Sequence, residues 1–168
     1  MRRYSPILAS VMLILVPLTP GCRSADITPA QSARRQFGLA VRLGTAYQVP
    51  GRSGRSDSVQ PALGPSGIEG YVATVWCKSK SNLFPVRVVM DRDFSVLTAT
   101  VLSYPSSRGR KIQSPRFTRQ FQGKGPDDPL KIGKDIDAVS GATNSSKAMA
   151  RGVKRAIRAA EEHYADSR

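Results

Sequence analysis

The chain has 168 residues, 40% of them hydrophobic, with 26 Lys and Arg against 12 Asp and Glu, a formal net charge of +14. That length leaves room for one domain with a modest core plus tails. The charge points to acidic partners, anionic lipid or nucleic acid, but no nucleic-acid module and no alternation of basic and aromatic residues is present. The expectation is no nucleic-acid partner and a largely solvated basic surface.

At the N-terminus, Arg2 and Arg3 precede an apolar run from Ile7 to Leu18, which stops at Pro20-Gly21-Cys22. A charged start, a short apolar core and small residues after it fit a secretory signal peptide over residues 1–21 better than a membrane span. Leu18-Thr19-Pro20-Gly21-Cys22 resembles the lipobox of bacterial lipoproteins, with Thr19 and Pro20 departing from its preferred residues. The resemblance implies lipidation at Cys22 and an extracytoplasmic, membrane-anchored lipoprotein of the bacterial cell envelope; cleavage a few residues later or an uncleaved anchor are the alternatives. With Cys22 lipidated, Cys77 has no disulfide partner, and a single histidine, His163, leaves no metal-ligand spacing.

Residues 22–66 read as a tail and linker. Ala30, Ala33, Phe37, Ala40 and Val41 recur at roughly helical spacing, which predicts a helix over residues 28–49. Between Val49 and Gly67, Gly, Ser, Pro and isolated charges displace apolar residues, the composition of a linker or long loop. The folded domain is expected over residues 67–164.

Gly70 to Cys77 alternates Tyr71, Ala73, Val75 and Cys77 with Val72, Thr74 and Trp76, and since neither set is polar the strand should be central. Phe84 to Met90 and Phe94 to Tyr104 are the next two strands, joined by Asp91-Arg92-Asp93 as a hairpin turn. Pro85 belongs at a strand start or an edge, because it lacks an N–H. After Pro105 comes a small-residue, basic loop containing Arg108 and Gly109, then a short helix over Ser114 to Gln122 that buries Phe117 and Phe121. The pattern predicts an α+β domain in which an antiparallel sheet is packed with helices.

The stretch from Asp137 to Ser146 opens a long C-terminal helix, in which Met149, Val153, Ala156, Ile157, Ala160 and Tyr164 recur at steps of three and four. Ser140 and Thr143 place hydroxyls where a helix leaves its first N–H groups unpaired, and Gly141 and Ala142 let the backbone approach a ligand closely. Such an N-terminus attracts anions, phosphate above all, although the same residues suit an ordinary loop and N-cap.

The order Asp137, Ser140, Gly141, Ala142, Thr143 resembles the attachment motif of the FMN-binding domain family, whose members include flavin-carrying components of the sodium-translocating NADH:quinone reductase and of the Rnf complex. The likeness extends through Phe117-Thr118-Arg119-Gln120-Phe121-Gln122-Gly123-Lys124 and covers about residues 67–164. It implies FMN joined to Thr143 through a phosphoester. Asp137, Ser140, Gly141, Ala142, Ser145, Ser146, Arg108 and Gly109 are then the expected surroundings. It also implies a separate flavin transferase for maturation and a redox partner protein, here with an acidic surface to suit the basic chain. The implied function is an exported electron carrier with no catalytic acid or base. The alternative is a non-redox envelope lipoprotein that binds a phosphate-bearing or polyanionic ligand.

Overall fold

Gly67–Lys78 has apolar residues on both faces, and this strand (β4) lies at the middle of the sheet. The computed structural model describes residues 28–167 apart from 52 and 53; the expected signal segment and Cys22 lie outside the described residues. Before β4 come helix α1 (Pro29–Phe37) and strands β1 (Arg42–Leu43), β2 (Tyr47–Val49) and β3 (Asp57–Gly64). After it come β5 (Leu83–Met90), β6 (Val96–Val101), the short helix α2 (Pro115–Thr118), flanked by single 3-10 turns, and the long helix α3 (Thr143–Tyr164). All strand pairings are antiparallel, in the order β1-β3-β4-β5-β6, with β2 also paired to β3. The α+β architecture read from the sequence is the one observed.

The two faces of the sheet bury different helices. Tyr71, Ala73, Val75 and Cys77 of β4, with Val86, Val88 and Met90 of β5, pack under Met149, Val153, Ala156, Ile157 and Ala160 of α3. Burial of each large aliphatic side chain contributes about 1.5–3 kcal/mol, so the α3 face holds most of the cohesion. On the other face Val72 and Val89 meet Ala33 and Phe37 of α1, together with Val41. Arg87 crosses beneath α1, donating from Nε to Thr74 Oγ1 at 3.0 Å and from Nη1 to Ser32 Oγ at 3.2 Å.

Several boundaries differ from the sequence expectation. The helix expected over residues 28–49 starts with a capping box between Thr28 and Gln31 but stops at Phe37, where Gly38 takes φ +102° and turns the chain into β1, so β1 and β2 occupy the rest of that stretch. The stretch expected as linker contains β3, a strand paired on both sides. Pro61 makes it look like a breaker. Its carbonyl accepts from Gly44 N at 2.8 Å, and in a strand N–H and C=O point the same way, so the missing donor falls in the gap between β1 and β2. Pro85 follows the same logic in β5. Its carbonyl accepts from Leu102 N, just past the end of β6. The strand expected to begin at Phe94 begins at Val96, because Phe94 adopts φ +61° to finish the hairpin and drops its ring against Tyr71 with centroids 4.9 Å apart. In the turn itself Asp91 Oδ1 accepts from both Asp93 N and Ser95 N at 2.9 Å.

Two contacts lock α3 in place. Asp57, buried at the start of β3, accepts from Trp76 N at 2.7 Å and pairs with Arg155 at 3.0 Å, while Arg155 also donates to Trp76 O at 2.9 Å. One ion pair thus joins β3, β4 and α3. The second contact is steric: Gly152 lies on Cys77, and a Cβ added there would overlap Cys77 Sγ. Burial pushes the Cys77 thiol up to about 12 and keeps it neutral, a small apolar filler under the helix. Gly152→Ala should therefore destabilise the protein by about 1–3 kcal/mol in urea denaturation through overpacking. Adding Cys77→Ala should restore most of that loss, because it removes the overlapping atom. A double variant as unstable as the sum of the two single changes would mean that the contact is not what sets the fit.

Candidate functional site

The turn before α3 separates two cavities. One, of about 620 Å³, is lined by Asp137, Ala138, Val139 and Ser140 on one side and by Lys111, Ser114, Arg116, Phe117 and Gln120 on the other. The second, of about 560 Å³, is lined by Gly141, Ala142, Thr143, Asn144 and Ser145, by Tyr104, Ser106, Arg108 and Gly109, and by Ser79, Lys80, Ser81 and Asn82 from the β4–β5 turn. The expected site residues are therefore divided between the cavities. Thr143, Gly141, Ala142, Ser145, Arg108 and Gly109 share one; Asp137 and Ser140 line the other.

Local chemistry explains the turn. Gly141 takes φ +76°, a conformation that side chains rarely adopt, although open space surrounds it. Ser146 is fully buried and lines neither cavity. Its hydroxyl donates to Ala142 O at 3.1 Å and accepts from Val139 N at 3.2 Å, closing the turn. Ser146 thus shapes the turn, with its one proton committed to Ala142 O. Asp137 is exposed and held through its backbone: its N–H donates to Gln120 Oε1 at 2.7 Å, and Gln120 Nε2 donates back to its carbonyl at 3.4 Å. The segment after α2 thereby sets the height of the motif.

Thr143 is the first residue of α3 and is exposed. The cap position is Ala142, which offers no side-chain oxygen, so Ser140 does not cap the helix. Ser146 N is the first to find a carbonyl, at Ala142; the N–H groups of Thr143, Asn144 and Ser145 have no acceptor among the described residues. A 22-residue helix thus aims its positive end into a cavity that also contains Lys80 and Arg108, neither of them in an ion pair among the described residues, and no acidic side chain. Unpaired N–H groups, a helix dipole and two cations form a donor set suited to phosphate.

Sequence reasoning missed the contribution of the β4–β5 turn. Lys78-Ser79-Lys80-Ser81-Asn82 reads as a gap between strands, and only the antiparallel pairing of β4 with β5 carries it to the end of α3. Tyr104 reads as the end of a strand. It is buried, and it reaches Ser145 Oγ at 2.6 Å while accepting from Asn82 Nδ2 at 3.1 Å.

Residues 83–158 match the FMN-binding domain family. Among solved structures, NqrC of Shewanella oneidensis aligns with a TM-score of 0.48 and 20% identity over 59% of this chain and 54% of that one, so the chain spans about half that protein's length. The NqrC-type component of the Na(+)-translocating NADH-quinone reductase from Parabacteroides distasonis aligns with a TM-score of 0.45 and 15% identity over 80% and 82%. No curated protein matches the sequence. The matched segment, residues 83–158, runs from the start of β5 into the second half of α3 and contains the whole turn between the two cavities, and over that segment the chain is similar to an FMN-binding domain.

Proposed function

We propose that the protein is an exported electron carrier with FMN esterified to Thr143. The observation that carries this reading is the position of Thr143: an exposed residue on the first turn of α3, in a cavity lined by the unpaired N–H groups of that turn and by Lys80 and Arg108, with no acidic side chain. A phosphodiester on that oxygen would lie among the N–H groups of residues 143–145, with Lys80 and Arg108 on the facing loops. When bound, FMN supplies one- or two-electron chemistry. The chain's own part is to hold the group, set the charge around it and leave an edge open to partners. Lys80 and Arg108 favour the more anionic state of whatever occupies the cavity, which shifts its potential upward.

Attachment is the work of a separate transferase using FAD. The Thr143 oxygen bonds to the FMN-side phosphorus, the bond between that phosphorus and the bridging oxygen breaks, AMP leaves with the bridging oxygen, and the hydroxyl proton is released. Asp137 is exposed and lies on the far side of the turn from Thr143, a place where an enzyme can read it without blocking the hydroxyl. Outside the cytoplasm a dissociated FMN would be lost to dilution, so a covalent bond suits an envelope protein anchored through Cys22. A partner with an acidic surface fits the basic rims of both cavities, and electron-transfer rates should then fall as ionic strength rises. Rates indifferent to salt would remove the acidic partner from this account.

Coexpressed with a flavin transferase, the protein should show flavin fluorescence after denaturing electrophoresis, and Thr143→Ala should abolish it. Asp137→Ala should lower the occupancy while leaving the fold intact. A fluorescent Thr143→Ala band would refute attachment at this residue. A ligand released on denaturation would favour the reversible phosphate-binding alternative. For the anchor, Cys22→Ser should turn a membrane-bound protein into a soluble or uncleaved one, since stable anchoring depends on acyl chains. Mature Cys22→Ser protein that still sediments with membranes would exclude lipidation as the cause.

A further inference from the structure

Tyr104 and Ser145 are 8% and 6% exposed, their oxygens are 2.6 Å apart, and both line the cavity that contains Thr143. Between them the two hydroxyls hold two protons, and their mutual bond uses one. The third group present, Asn82 Nδ2, donates to Tyr104 at 3.1 Å and so brings another donor, not an acceptor. One hydroxyl proton is therefore left without an acceptor among the described residues, in a nine-tenths buried position where leaving it unmet is costly. With Tyr104 accepting from Asn82, the arrangement that satisfies Tyr104 has it donating to Ser145, which leaves the Ser145 O–H free to donate into the cavity.

The geometry points to this pair as the floor of a phosphate seat: Ser145, held by Tyr104 and Asn82, donates to an oxygen of the phosphate ester carried on Thr143. This inference rests on the reading of Thr143 given above. Ser145 is the binding group; Tyr104 and Asn82 are positioning residues that act through it. The N–H groups at the start of α3 supply the wall, and Lys80 supplies charge from a loop outside the attachment motif. Gly109 belongs to the same device. At φ +92° a Cβ there would come within 2.8 Å of the Tyr104 hydroxyl and 3.3 Å of Ser145 Oγ, so only glycine lets the loop close over the pair.

The test uses full-length protein made without flavin transferase, titrated with inorganic phosphate and followed by the rise in unfolding temperature. Phosphate should stabilise this protein, and Ser145→Ala and Tyr104→Phe should each weaken the apparent affinity by about tenfold, the scale of one hydrogen bond to a charged acceptor. A merely structural role would alter the starting temperature and leave the phosphate dependence alone. Ser145→Ala carries the test even if Tyr104→Phe fails to fold, because alanine suits a helix start of this kind. Fully flavinylated protein should show no phosphate response, its seat being filled by the tethered group. Phosphate binding that persists in flavinylated protein, or that ignores both substitutions, would overturn the proposal. Failure of flavin to attach at Thr143 would refute the attachment reading instead, and would leave the phosphate titration of the unflavinylated chain unaffected.

Discussion

The packing of α3 flat across β4 is the constraint on which the rest depends. A stripe of small residues, Ala148, Gly152 and Ala156, lets the helix approach the sheet closely, and Cys77 fills the space under Gly152. The Asp57–Arg155 pair then fixes the helix against sliding, because its carboxylate is bound at once by the β4 backbone and by the helix. With that axis set, the N-terminus of α3 comes out beside the β4–β5 turn and under the loop after β6. Three segments far apart in the chain meet there without any one of them being built for the purpose.

What meets is electrically one-sided. The helix contributes its unpaired N–H groups, the β4–β5 turn contributes Lys80, and the loop after β6 contributes Arg108. In ordinary circumstances such a collection would be relieved by a capping side chain or a carboxylate. Here the cap position is alanine and Asp137 is held on the opposite side of the turn by Gln120. The turn thus keeps the Asp137 carboxylate out of the cavity that Thr143 lines. Ser146, though next in sequence to Ser145, is used to hold that turn closed.

Much of this is legible in the residues. The alternation in β4 and the three-and-four spacing in α3 announce the sheet and its helix, because each follows from a single periodicity over a long element. Thr143 stands out through a local motif. What is not legible depends on pairing over distance. The strand character of β3 is hidden by Pro61, whose missing donor is harmless only because β1 and β2 leave a gap beside it. Lys80, Asn82 and Tyr104 lie outside the motif and join the site through strand register, which no short stretch encodes. In sequence nothing distinguishes Ser146 from Ser145, and only the helical rotation between them sends one into the cavity and the other into the turn.

The central claim is a bond to one atom, and peptide mass spectrometry addresses it most directly. Cleavage after Lys134 and Lys147 releases the peptide Asp135–Lys147, which contains Ser140, Thr143, Asn144, Ser145 and Ser146. In protein matured with a flavin transferase this peptide should gain the mass of FMN less one water, and fragmentation should place the whole increment on Thr143. An unmodified peptide from yellow protein, or an increment assigned to Ser140, Ser145 or Ser146, would contradict the account.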